Sequence, residues 1–142
     1  MRTIQEILAE KGHRVWTVDA KSSVFDALKE MSERGIGALL VTEGEQPAGM
    51  ISERDYARKV ILFDRSSRDT RVEEIMTKIV AYVRPAQTVE EAMAIMTEKR
   101  IRHLPVMDDG KVTGMVSIGD CVKVIIAEQQ FTIEQLAHYI SG

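Results

Sequence analysis

An α+β fold made of two tandem copies of one small unit is predicted by three observations. The first is an internal repeat. Val24, Ala27, Met31, Glu33, Ile36, Leu39, Val41, Gly49, Met50, Ser52 and Asp55 recur in order as Val89, Ala92, Met96, Glu98, Ile101, Leu104, Val106, Gly114, Met115, Ser117 and Asp120, a shift of about 65 residues with no insertion. A repeat that long marks two small domains, here residues 1–67 and 68–142, not a solenoid turn. The second is that apolar residues in each copy change from helical spacing to short continuous runs. The third is a 44% hydrophobic fraction in halves of roughly 70 residues, each at the small end for independent stability. Two copies packed face to face around one shared core, with a cleft between them, are the expected outcome.

Each element follows from its local residues. Thr3 with Glu6 reads as a capping box opening a short helix, and Val15-Trp16-Thr17-Val18 as a strand after the Gly12 turn. A helix starts near Ser23, where Val24, Ala27, Leu28 and Met31 fall at i, i+3, i+4 and i+7, and Gly35 stops it. Ala38 to Val41 and Ala48 to Ile51 read as a hairpin around Glu43-Gly44-Glu45, and Ser52 begins a helix running to about Phe63. After the polar linker Asp64 to Asp69, Thr70 with Glu73 is expected to cap a helix and Val80 to Val83 to form a strand. Thr88 with Glu91 caps the next helix. Leu104-Pro105-Val106 and Val112 to Val116 form a second hairpin around Asp108-Asp109-Gly110. A helix from Ile118 leads toward an amphipathic segment, Thr132 to Ile140.

Composition excludes several functions. The net charge of −3 is interspersed, so no basic field holds nucleic acid by counterion release. Cys121 is the only cysteine, which rules out an internal disulfide and a thiolate metal cage, and its apolar neighbours point to an inert buried thiol. The N-terminus carries an acid where a signal peptide needs an apolar run, and no stretch approaches the ~18 apolar residues of a membrane span. A cytoplasmic location with no membrane partner is the expectation. No nucleophile is placed with a base and no Walker-type loop is present, so no catalytic residue and no metal ligand is assigned. Glu90 and Glu91 point about 100° apart on a helix and form no acid-base pair. The methionines sit at core spacing, and His13 and His138 read as structural or solvent-facing.

The repeated polar pair is the place to look for function. In both copies a strand ends in Ser and Asp follows three residues later: Gly49-Met50-Ile51-Ser52-Glu53-Arg54-Asp55 and Gly114-Met115-Val116-Ser117-Ile118-Gly119-Asp120. One reading is a Ser N-cap with an acid in the first turn, where the helix dipole favours it. The other uses the same geometry for a ligand. Free N–H groups at the helix start attract phosphate, while the carboxylate accepts bonds from ribose hydroxyls. That division of labour suits a nucleoside phosphate, with an apolar slot for the base.

The doubled pattern of an apolar helix, Ile-Gly-Ala-Leu-Leu-Val or Ile-Arg-His-Leu-Pro-Val, then Gly-Met-Ile-Ser-x-x-Asp or Gly-Met-Val-Ser-x-x-Asp, resembles a cystathionine β-synthase (CBS) domain pair, the Bateman module. The resemblance spans about Thr3 to Ala127 with no catalytic domain attached. It implies a β-α-β-β-α unit in each half, pseudo-twofold packing, and up to two clefts for adenosine-containing ligands. By the family's pattern one site would use Ser117 and Asp120 with Val15, Trp16, Ile36, Gly37 and Ala38. The other would use Ser52, Arg54 and Asp55 with Val80, Ala81, Ile101 and Arg102. Trp16 could stack on a base or fill the core.

The copies differ at one position in the motif. Arg54 offers a fixed cation and its counterpart Gly119 none, so the second site must draw charge from Arg102, His103 or Lys123. Unequal ligand preference is expected. The chain thus reads as a stand-alone sensor of AMP, ADP, ATP or NAD(H) that acts through a homodimer on an unidentified protein target. The alternative is a ligand-free pair serving as a dimerisation or docking module. The dimer would form through helices near Tyr56 to Ile61 and Val122 to Ile126, where Val60, Ile61, Val124, Ile125 and Ile126 exceed what one core face requires.

Overall fold

The computed structural model describes residues 2–79 and 81–141, with side chains described to residue 140. The described chain forms two compact units, Val15–Val80, and Met1–Arg14 with Ala81–Gly142. The N-terminal segment therefore joins the second copy, so the compact units depart from a division at residue 67.

In the Val15–Val80 unit, β1 (Thr17–Asp19) runs parallel to β2 (Ala38–Glu43), which pairs antiparallel with β3 (Gln46–Ser52). Helix α2 (Val24–Arg34) starts where the sequence places it: the Ser23 hydroxyl accepts from the Asp26 N–H, and Gly35 ends the helix in the left-handed region at φ 64°. That conformation costs glycine nothing sterically. Helix α3 (Glu53–Lys59) is shorter than expected and passes into a 3₁₀ turn, Ile61–Phe63. The four-residue α4 (Val72–Ile75) is capped one position later than Thr70-Glu73 suggests, with the Glu74 carboxylate accepting from the Arg71 N–H at 2.6 Å.

Thr70 is occupied elsewhere. It is buried, its hydroxyl donates to the Ser66 carbonyl at 2.7 Å, and its carbonyl accepts from the Val24 N–H at 2.8 Å. The segment read as a solvated linker is therefore docked on the start of α2. The Ser67 carbonyl accepts from the Phe25 N–H, and the Arg68 guanidinium lies 3.9 Å from the Phe25 ring centroid.

The second unit repeats the plan with α5 (Val89–Lys99), β4 (His103–Asp108), β5 (Lys111–Ser117) and α6 (Ile118–Ser141). Its sheet has two described strands, because the strand expected at Val80 to Val83 is reduced to a bridge between Val83 and Val106; Val80 itself lies outside the described residues. Proline explains the loss. In the first unit the Leu40 N–H donates to the Trp16 carbonyl at 3.1 Å. The same bond in the second unit would run from residue 105 to Ala81, and Pro105 has no N–H to donate.

Each unit holds a buried cluster of its own. One holds Val24, Ala27, Met31, Leu39, Val41, Ile51, Val60, Val72 and Ile75; the other holds Val89, Ala92, Met96, Leu104, Val106, Val116, Cys121 and Val124 with Ile4, Ile7 and Leu8. Each unit closes over its own core because a short helix covers it: α4 in the first, and α1 (Ile4–Lys11) in the second. Two glycines admit these covers. A Cβ at Gly49 would lie 2.6 Å from the Thr77 carbonyl, and one at Gly114 would lie 2.7 Å from both Leu8 methyls.

Candidate functional site

Both repeated pairs form reciprocal caps. In the first unit the Ser52 hydroxyl accepts from the Asp55 N–H at 3.3 Å, and Asp55 Oδ2 accepts from the Ser52 N–H at 2.9 Å and its hydroxyl at 3.1 Å. In the second the Ser117 hydroxyl accepts from the Asp120 N–H at 3.1 Å, and Asp120 Oδ2 accepts from the Ser117 N–H at 2.8 Å. The strand delivers each Ser in extended backbone and the next residue turns into helix, which is what an N-cap requires.

The surroundings of the two carboxylates differ. Asp55 Oδ1 accepts from the Thr77 hydroxyl at 3.1 Å and pairs with Lys59 Nζ at 3.1 Å. Both of its oxygens therefore have protein partners, and its side chain is 13% exposed. At Asp120 the added partner falls on Oδ2 again: Lys11 Nζ donates to it at 2.7 Å and to the Met115 carbonyl at 2.8 Å. Burial, the strongest single influence, pushes the Asp120 pKa up. The Lys11 ammonium and the Ser117 N–H and hydroxyl together outweigh it, so the group lies below the ordinary carboxylate value.

Asp120 borders a hollow of about 300 Å³ between α1 and the start of α6, lined by Arg2, Ile7, Glu10, Lys11, Asp120, Lys123, Val124 and Ala127. That volume is at the low end for small-ligand sites. Arg2, Lys11 and Lys123 line it together with two carboxylates, Asp120 and Glu10, the latter paired with Arg2 at 2.9 Å.

Arg54 is half-buried on the first turn of α3, and its counterpart Gly119 is exposed on α6. Val15, Trp16, Ile36, Gly37 and Ala38 share a unit with Ser52 and Asp55, whereas Ala81, Ile101, Arg102 and His103 share one with Ser117 and Asp120. Inside each unit the turn before the hairpin touches the helix start: the Glu53 N–H donates to the Gly37 carbonyl at 3.1 Å, and the Ile118 N–H to the Arg102 carbonyl at 2.8 Å. Two of the N–H donors expected to be free for phosphate at each helix start are thus engaged, one by that carbonyl and one by the Ser hydroxyl.

Trp16 packs partly against its unit's core, and the Arg34 guanidinium lies 3.9 Å from its ring centroid. His103 is half-buried on β4, and burial above all, aided by the Lys11 charge, lowers its pKa. That shift favours its neutral form. Cys121 is fully buried and its thiol is pushed up to about 11, chiefly by burial, which makes it inert. Of the apolar excess noted beside the motifs, Val60 and Val124 belong to the cores, while Ile61 and Ile126 are exposed.

Three neighbours of the carboxylates escape sequence reading. Lys59 had a signal, since it lies at i+4 from Asp55 on a helix. Thr77 and Lys11 reach their carboxylates from 22 and 109 residues away, and nothing local marks them. Among the described residues no cluster of His, Cys, Asp or Glu could hold a metal, and no helix is long and apolar enough to cross a membrane.

Comparison with known proteins places this geometry in a family. The CBS domain model matches twice, over residues 5–62 and 72–127. The chain is 43% identical to the mitochondrial CBS domain-containing protein CBSX3 of Arabidopsis thaliana, over 99% of this chain and 72% of that protein. A solved CBS-domain protein from Burkholderia ambifaria MC40-6 is 56% identical, with a TM-score of 0.87 over 93% of this chain and 99% of its own. The hexameric CBS-CP12 protein of bloom-forming cyanobacteria is 29% identical, with a TM-score of 0.76 over 86% of this chain and 70% of its own. With two tandem copies of the motif, two matching units and these relatives, the chain belongs to the CBS-domain family, a family of regulatory modules.

Proposed function

We propose that the chain senses an adenosine-containing ligand, AMP, ADP, ATP or NAD(H), without catalysing a reaction, and transmits occupancy through a homodimer in the cytoplasm. The observation that carries this reading is the Asp120 site. A half-buried carboxylate, oriented by the Ser117 cap, borders a hollow with Arg2, Lys11 and Lys123 around it. A ribose hydroxyl pair suits the carboxylate and a phosphate suits the cations. The ligand takes the Asp120 site before the Asp55 site, because the protein engages both oxygens of Asp55 but bonds Asp120 through Oδ2.

That same engagement of Asp55 favours a second reading for the first copy, in which Ser52-Asp55 is a structural cap and its face serves docking. Calorimetry and thermal unfolding with each nucleotide separate the two. Ligand at 100 times Kd stabilises a fold by about 2.7 kcal/mol, or roughly 5–10 °C in Tm. Asp120→Ala abolishes that shift and Asp55→Ala leaves most of it. No shift with any of the four ligands at millimolar concentration overturns the sensing reading and leaves the docking module.

A further inference from the structure

The family match ends at residue 127, but α6 continues without a break to Ser141. Its first half is anchored: Cys121 and Val124 are buried in the core of their unit, and Ile118 and Ile125 pack against it. From Phe131 to Ile140 every side chain is exposed. The apolar residues on this helix follow a heptad, with Ile126, Ile133 and Ile140 seven apart and Val122, Gln129 and Leu136 seven apart. The two rows interleave by four and three residues, the a and d positions of a coiled coil. Ile126 and Ile133 are each 59% exposed, Leu136 57% and Ile140 82%. A single chain gains nothing by lining up large apolar side chains in water, and such a stripe marks an interaction surface.

We infer that α6 pairs with α6 of a second copy as a parallel, in-register two-stranded coiled coil along Val122 to Ile140. This deepens the homodimer in the proposed function and is independent of its ligand. Three features select an identical partner. Ile126, Ile133 and Ile140 at the a positions with Leu136 at a d position favour two strands. Gln129 interrupts the apolar row; against an apolar chain its amide would be buried without partners, whereas in register it meets the same amide and each donates to the other. An antiparallel pair would set it against isoleucine. The flanking positions from Ile125 onward, Thr132 and Tyr139 on one side with Gln130 and Ala137 on the other, carry no charge to repel an identical helix. The seam is short, about 27 Å at 1.5 Å per residue. Because its first turns are already fixed on the core, nucleation does not oppose it. Phe131 falls on the opposite face and takes no part.

The test uses the full chain. Light scattering over the micromolar range is expected to give twice the 16.0 kDa chain mass, and Ile133→Asp with Leu136→Asp to weaken the dimer at least tenfold with the far-ultraviolet spectrum kept. Independently, Gln129→Cys is expected to form a disulfide-linked dimer on mild oxidation, since only Cα atoms within about 7 Å can be bridged, while Phe131→Cys does not. A dimer that survives the double substitution, with no cross-link at residue 129, overturns the seam and leaves a homodimer held elsewhere. A monomeric natural chain overturns both.

Discussion

Replacing Asp120 by Ala removes two contacts from one carboxylate oxygen, and the structure sets their sizes. The cap on the Ser117 N–H is a charge-assisted bond at the start of α6, and its loss costs about 1 kcal/mol. The pair with Lys11 joins side chains 39% and 19% exposed at 2.7 Å; solvent screening holds its net worth to about 1 kcal/mol or less. Asp120→Ala is therefore expected to destabilise the protein by about 2 kcal/mol and lower Tm by about 4–8 °C. Lys11→Met keeps the apolar stem and removes the ammonium with its bonds to Asp120 and the Met115 carbonyl, so its cost is about half as large. In the double variant the Lys11 change should cost less than it does alone, because the Asp120 pair is already gone and only the bond to the Met115 carbonyl is left to lose. The pH dependence follows from the lowered pKa of Asp120. Its contribution is fully present above the unfolded carboxylate value of about 3.9 and is lost as pH falls through the folded value. The gap between the natural chain and Asp120→Ala should stay constant from pH 7 to about 5 and close below about 4. Thermal unfolding of the four proteins across that range is the assay. Strict additivity of the two single changes, or a gap that does not narrow as pH falls below about 4, refutes the account.

The lowered pKa of His103 predicts a separate pH effect: the folded state holds it neutral, so stability falls as pH drops below the unfolded value of about 6.5 toward the folded one. His103→Gln should flatten that slope just below about pH 6.5, and an unchanged slope in the variant removes His103 as its source. Gly49→Ala and Gly114→Ala should each destabilise by about 1–3 kcal/mol. Gly49→Ala is expected to be the worse, because its Cβ meets a backbone carbonyl while that of Gly114 meets the end of the Leu8 side chain. Denaturant midpoints ranking them in the opposite order contradict this packing of the covering helices.

Elements set by near neighbours were legible from the residues alone. The Ser23 cap and Gly35 stop of α2, both hairpins, and the two Ser-Asp caps all lie within a few residues of the groups that satisfy them. The cap expected at Thr70 moved by one residue because a carbonyl four positions back captured the Thr70 hydroxyl. The expected strand before Arg84 failed for a reason visible in the chain but not local to it, a proline on the facing strand.

Repeat, periodicity and capping chemistry are enough to identify two tandem α+β units and to mark Ser52 with Asp55 and Ser117 with Asp120 as the repeated polar caps at the two helix starts. Tertiary structure alone decides that α1 covers the second core, that Lys11 reaches Asp120, and that Thr77 engages the far oxygen of Asp55. The reason is one of range. Caps and helix faces are fixed by bonds between residues three or four apart, whereas the charge beside a carboxylate depends on which distant segment the cores bring to it. Two motifs that read alike therefore stand in different electrostatic surroundings, one engaged through both carboxylate oxygens by its own unit and one bordering a hollow lined by charges of both signs.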